Sequence, residues 1–524
     1  MKDLFRLGRS NEHSSLDGVI GASGRDSAAL VAGGTFAWYT LDPPISGVAN
    51  CPTEYLEEEV KLENNVLALA WSVAAGVALL AVSAPILRAA APYRPAAKKY
   101  RYVVCTDMTH DDDNSLIRLL HYSNEIDIEA IIVTEQGPET NRIAHWPTKM
   151  WNRAQEIIDA YTQVEDNLRL HDPDFPSAEH IRRITKKGKG SAQRMTGSMD
   201  DGKERFWDYV GEDRDSEGSE FLQEVFDRAD DRPIYVAFWG GPITFAQAVW
   251  RYQQKHTEPE VRTLLDKLIF HCISLQDVTF DYFVDLDAFG RGFYGDYEGK
   301  RLAPSMMLVD LDHFWKYMVA VDEKAVHANG GALGDLYDTG GEGDTPSFLN
   351  LIAANRGLSD IGRPAYGGWG DMFTKHHLPN VWFAETSRLD ELMRWTRYVN
   401  NSFYARCRWE ENDFASTNHD PIAAFDNDLS SGFVRLRKAT GETVQLNAAG
   451  SFDPDGDDLS YRWFYYPEAS SYSGEVAIDG SSSMKASFSV PSMDVDEEVH
   501  VVLEVSDNGD PSLVSYKRVI VTTR

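Results

Sequence analysis

Four aspartates fall within seven positions of the stretch VVCTDMTHDDDNSLIRLL: Asp107, Asp111, Asp112 and Asp113. Carboxylates crowded this closely repel one another, so the turn needs a physical reason to carry them. One reason is helix initiation, because aspartate caps a helix start and complements its dipole. Capping uses one aspartate, and four exceed it. The other reason is a cation. If Asp107 ends a strand and Asp111 and Asp112 open a helix, their carboxylates can meet at one point. Hard divalent cations such as calcium take several oxygen ligands at about 2.3–2.6 Å. A cation there turns the repulsion into attraction and lowers the pKa of a coordinated water, making it a nucleophile. On this stretch alone both readings stand.

The elements around the turn fit the second reading's demand for a strand-to-helix junction. KKYRYVVCTD reads as a buried strand, and NSLIRLLHYSNE follows with Leu116, Leu119 and Leu120 at helical spacing. IDIEAIIVT is the next strand and MWNRAQEIIDAYTQV the next amphipathic helix. Further on, the strand RPIYVAFWGG leads through a Gly-rich turn into the helix PITFAQAVWRYQQK, and LDKLIFHCIS is another strand. This alternation predicts an α/β domain over residues 98–410, a Rossmann-like, mostly parallel sheet with helices on both faces. Ligands of such sheets bind at the carboxyl ends of the strands, where Asp107 and the Gly240–Gly241 turn fall. Residues 411–430 are polar and turn-rich and read as a linker or lead-in strand. Residues 431–524 carry short runs of period two, among them ETVQLNAAGS, LSYRWFYYP and EVHVVLEVSDNG, separated by turns such as DPDGDD. They predict a small immunoglobulin-like β-sandwich.

The 51 basic and 82 acidic residues give a formal charge of -31, which excludes a nucleic-acid backbone as partner. The four cysteines (Cys51, Cys105, Cys272 and Cys407) form no CxxC pair and no zinc-like spacing. Residues 1–63 show no sustained period and read as poorly ordered. No charge interrupts Asn64 to Leu87, a run long enough to span a bilayer. It reads as a membrane anchor or as an export signal with small residues near Ala89 to Ala91. The basic flank after it points the bulk of the chain inward, whereas the modules that follow suit a secreted or membrane-anchored protein.

The stretch VAFWGGPITFAQAV together with Asp107-x-x-x-Asp111-Asp112 resembles the nucleoside hydrolase superfamily. The resemblance is more specific to cellulose-binding proteins with a nucleoside hydrolase-like domain and an immunoglobulin-like C-terminal domain. HDPDFPSAE, GEGDTPSFLNLI, YGGWGDMF and GSFDPDGDDLSYRW carry it, over roughly residues 98 to 524. It implies Ca2+ as cofactor, with Asp107 both a calcium ligand and the general base that activates the attacking water. Asp112 and Asp344 would be further metal carboxylates, Thr244 would give its backbone carbonyl, and Asp111 would accept a bond from a sugar hydroxyl. Hydrolysis of an N-glycosidic bond through an oxocarbenium-like state is the chemistry implied.

Three positions depart from the hydrolase pattern. Cys105 stands where the family's motif begins with Asp, Phe245 replaces an Asn, and Gly343 stands where many hydrolases carry the histidine that protonates the leaving base. His110, Glu342 or Asp277 could supply that acid. His110 also reads as a solvent-exposed turn residue, Glu342 as a cap on a Gly-rich loop, and Asp277 as a strand-end residue lining the cleft. Trp239, Trp369 and Trp463 invite a sugar-stacking role, but the structural reading of each, core or interface, stands ahead. DPDGDD likewise needs no metal to form a turn. Two functions follow: a calcium-dependent glycosyl hydrolase acting on a small glycoside or nucleoside, or a polysaccharide-binding protein that keeps the fold without turnover.

Overall fold

The structure is a computed structural model. It describes residues 99–134, 150–189, 209–273, 275, 278–283, 307–310, 321–339, 341–384 and 389–523. The N-terminal region, the apolar run and Asp277 lie outside the described residues. No helix among the described residues is long and apolar enough to cross a membrane.

The first domain is built on strands β1 (Tyr100–Thr106), β2 (Ile126–Val133), β3 (Thr185–Lys187), β4 (Ile234–Phe238), β5 (Leu268–Cys272), β6 (Met307–Asp310), β7 (Phe373–Lys375) and β8 (Val381–Ala384). Its helices are α1 (His110–His121), α2 (Met150–His171), α3 (Ala178–Ile184), α4 (Glu217–Phe226), α5 (Ile243–Lys255), α6 (Glu258–Lys267), α7 (Glu323–Asn329), α8 (Pro346–Asn355), α9 (Leu389–Arg394) and α10 (Thr396–Arg408). The eight strands run in the order β3-β2-β1-β4-β5-β6-β8-β7, parallel throughout except for the antiparallel edge pair β7–β8. Parallel strands covered on both faces are apolar almost continuously, as YRYVVCT and IDIEAIIV are. Alternate residues of β1 enter different cores: Tyr102 and Val104 pack with α1, α2 and α8, while Val103 and Cys105 pack with α4 and α5. The strand order reverses between β1 and β4, and the crevice at such a reversal is where doubly wound sheets bind ligands.

The C-terminal β-sandwich comprises β9 (Val434–Lys438), β10 (Thr443–Asn447), β11 (Ser460–Tyr465), β12 (Lys485–Ser489), β13 (Glu498–Ser506) and β14 (Val514–Thr523). Strands β10 and β12 pair in one sheet, and β11-β13-β14-β9 form the other. Trp463, Leu446, Phe488, Val501 and Leu503 fill the space between them. The opposite face of the larger sheet is not solvated: Val502, Val514 and Tyr516 join Trp369, Trp395 and Phe348 in the core of the α/β domain. Covering that face buries even Arg518, whose Nη1 donates to the Tyr366 carbonyl at 2.7 Å. Residues 411–430 are packed as well, with a 3-10 turn at Phe414–Ser416, a bridge from Ile422 to Phe452, and Asn418, His419 and Asp420 buried.

A buried histidine makes this packing sensitive to acid. His500 on β13 lies edge-on to Tyr366, with ring centroids 4.5 Å apart, and burial pushes its pKa down to about 4. It is therefore neutral in the fold, while the unfolded chain protonates it near its ordinary value. Its contribution is fully present above about pH 6.5 and is lost as pH falls towards 4, by about 2–3 kcal/mol. The melting temperature is expected to fall over that window, and His500→Phe should flatten the fall. An equal fall in the variant would exclude His500 as its source.

Candidate functional site

Asp107 is the first residue after β1, at the carboxyl edge beside the switch point. The chain then turns sharply: Met108 takes φ 54, a left-handed conformation that costs a non-glycine residue about 1 kcal/mol. Thr109 precedes α1 as its N-cap residue, and its hydroxyl makes no capping bond. It bonds the aspartates instead, lying 3.0 Å from Asp111 Oδ1 and 2.8 Å from Asp112 Oδ2. The aspartates are therefore not caps. They sit in the first turn of the helix, where its dipole favours negative charge.

Asp344 closes the cluster from the other end of the domain, just before α8. One carboxylate oxygen from each of Asp111, Asp112 and Asp344 lies within 4.8 Å of the others. All are buried, as is Asp107. Burial, then the charges of Asp112 and Asp111, hold the Asp107 carboxyl well above the usual carboxylate range. Asp344 is raised by burial and by Asp112, Asp111 and Asp107. Asp112 is pushed up to about 7 by burial first and Asp111 second. Two oxygens, Asp107 Oδ2 and Asp344 Oδ2, are buried with no hydrogen-bond partner. An all-oxygen donor set with orphaned carboxylate oxygens fits a hard divalent cation. The fourth aspartate is used otherwise, since Asp113 Oδ2 pairs with Arg153 Nε at 2.7 Å.

The partners that hold the cluster carry little sequence signal. Thr106 Oγ1 donates to Asp112 Oδ1 and accepts from Met108 N at 2.9 Å, so one hydroxyl fixes both the turn and the carboxylate. Ser347 Oγ donates to the Asp344 carbonyl at 2.7 Å and accepts from Trp239 Nε1 at 2.8 Å, which orients the Asp344 loop against the β4 turn. Hydrogen bonds to charged groups are worth about 1.5–3 kcal/mol. Thr106→Val should accordingly weaken cation binding about tenfold. Calorimetry on the folded variant checks this, and unchanged affinity would show that Thr106 serves the turn alone.

The remaining expected site residues are placed as follows. Thr244 lies in the first turn of α5, where Oγ1 accepts from Lys189 N at 3.0 Å. The residue of that turn lying on the cluster is Gly240, where a Cβ would stand 2.8 Å from Asp107 Oδ2. Only glycine leaves that space open. Glu342 corrects the expectation of a substrate-facing carboxylate: it is fully buried, pairs with Arg118 Nε at 2.7 Å and accepts from Tyr337 OH at 2.7 Å. That pairing ties the Gly-rich loop to α1. Asp277 and the His110 side chain lie outside the described residues. Cys105 and Phe245 are core residues, with the Phe245 ring edge-on to Phe226, Phe238 and Phe270. Trp239, Trp369 and Trp463 are all buried, which removes them as sugar platforms.

Residues 101–373 match the family model described as cellulose-binding Sde182, nucleoside hydrolase-like domain. Residues 443–523 match that of the cellulose-binding protein Sde0182, C-terminal domain. A solved structure from Saccharophagus degradans, described as a nucleoside hydrolase-related hypothetical protein associated with carbohydrate metabolism, is 30% identical with a TM-score of 0.66. The match covers 81% of this chain and 100% of that one. A plant nucleoside hydrolase is 13% identical over 59% of this chain and 100% of its own, at a TM-score of 0.30 too low to support an argument. No curated protein matches the chain. The chain belongs to the cellulose-binding Sde182 family, whose nucleoside hydrolase-like domain and C-terminal domain it carries in that order.

Proposed function

We propose that the chain is a calcium-dependent hydrolase of glycosyl bonds, of nucleoside hydrolase type, acting on an N-ribosyl or similar glycoside. The observation that carries this reading is the buried convergence of Asp111, Asp112 and Asp344, with Asp107 close enough for their charges to act on it and with orphaned oxygens on Asp107 and Asp344. Asp107, Asp112 and Asp344 would hold the cation, which when bound supplies positive charge to polarise a water. Asp107 would take a proton from a water held there: Oδ1 is fixed by Thr109 N at 3.1 Å, and Oδ2 has no hydrogen-bond partner of its own. Asp111, oriented by the Thr109 hydroxyl, accepts a hydrogen bond from a sugar hydroxyl and stabilises charge developing on the ring. The export signal or membrane anchor read in the sequence would place this activity outside the cell or at its membrane.

The test is calcium titration by calorimetry, followed by a turnover screen of nucleosides and small glycosides. Binding with turnover that chelation abolishes supports the reading, and absence of binding refutes it. A second reading has its own support, because Glu342 is locked to Arg118 and Gly343 replaces the leaving-group histidine. On that reading the protein binds cellulose or a related polysaccharide through the same fold without turnover. Calcium binding with no turnover, together with retention on cellulose, would favour it.

A further inference from the structure

The two helices that present the aspartates are held at their other ends by one buried ion network. Asp111 and Asp112 open α1, and Asp344 lies just before α8. Four residues past the end of α1, Glu125 receives Arg356 Nη1, the residue that ends α8, at 2.9 Å. Arg406 on α10 also pairs with Glu125 and donates to the His121 carbonyl at 2.6 Å. Arg356 Nη2 reaches Asp420 Oδ2 at 2.7 Å, in the segment that leads into the β-sandwich. The Arg356 carbonyl accepts from Tyr516 N of β14 at 2.8 Å. Arg356, Arg406, Glu125 and Asp420 are all buried.

A helix transmits displacement along its length, and these two are about 18 Å and about 15 Å long at 1.5 Å per residue. Carboxylate ligands must meet a cation within a few tenths of an ångström of about 2.3–2.6 Å. Whatever fixes α1 against α8 at the far end therefore fixes the spacing of Asp112 and Asp344 at the near end. The planar fork of Arg356 is suited to this, because it engages one acid from each side at once.

We propose that Arg356 is a positioning residue for the aspartate site, setting α1 against α8 with the β-sandwich as its anchor. The sandwich is thereby part of the site's geometry and not an accessory beside it. The inference rests on the cation-binding reading above, and the experiment separates the two.

Calcium affinity and melting temperature are measured on the full chain for wild type, Arg356→Met, Arg356→Lys and Asp420→Asn. Val501→Ala serves as control, because Val501 lies in the sandwich core away from the network. Affinity should fall tenfold or more in Arg356→Met, and less in Arg356→Lys, whose single ammonium cannot span both acids. Val501→Ala should lower the melting temperature and leave affinity unchanged. If Arg356→Met does not fold, Asp420→Asn removes only the charge pair from Arg356 to the segment leading into the sandwich and is read in its place. Unchanged affinity in folded network variants, or an equal loss in Val501→Ala, overturns the proposal. A wild type that binds no calcium overturns the underlying reading and this one with it.

Discussion

Asp112→Asn is expected to abolish calcium binding, weakening it at least a hundredfold, and yet to stabilise the calcium-free protein. The two effects have one cause. Without a cation, buried Asp112 faces Asp111 and Asp344, and its ionised form is disfavoured by burial and by Asp111. Replacing it with a neutral isostere removes a repulsion while keeping an oxygen for the Thr106 or Thr109 hydroxyl. Relief of a buried like-charge contact is worth about 1–2 kcal/mol. With calcium the order reverses. Wild type at a hundred times its dissociation constant gains about 2.7 kcal/mol, and the variant gains nothing. Thermal melts in chelator and in calcium read both signs. A variant less stable than wild type in chelator would show that the aspartates are held by protein partners and not by an absent charge.

How far the sequence revealed this depends on the range of each interaction. The strand, turn and helix around Asp107 were legible because they are local: an apolar run, then aspartates at the junction, then leucines at helical spacing. Asp344 lies more than two hundred residues away and was reached only through resemblance to a family. Glu342 shows what local reading misses. A glutamate in a Gly-rich loop reads as solvated until Arg118, 224 residues earlier in the chain, is placed against it. Thr244 shows another gap, because a motif residue names a turn without saying which of its groups faces the crevice. In the same turn, the approach of Asp107 leaves no room for a side chain at Gly240. In the sandwich, period two located the strands but not what covers their outer face. Arg518 lies on that face and is buried.

That covered face leaves no room for a side chain at Gly357, and Gly357→Val should separate the two domains' unfolding. Gly357 follows Arg356 with φ +83, a conformation that β-branched residues strongly disfavour. A Cβ there would stand 2.3 Å from the Tyr516 carbonyl oxygen. Tyr516 cannot retreat cheaply. Its N–H is bonded to the Arg356 carbonyl, its hydroxyl accepts from Trp369 Nε1 at 3.2 Å, and its ring meets Trp395 edge-on at 5.6 Å. Strain and overpacking together should cost about 3–5 kcal/mol, all of it at the boundary. Wild type is expected to melt in one calorimetric transition, because the core of the α/β domain includes sandwich residues. The variant should show two, with protease cleavage appearing within residues 411–430. A sandwich tethered by a flexible linker would behave differently: Gly357→Val would leave its transition unmoved, and wild type itself would already melt in two steps. Because Arg356 and Gly357 are adjacent, the same variant should also weaken calcium binding, linking the boundary to the aspartates at the far end of α8.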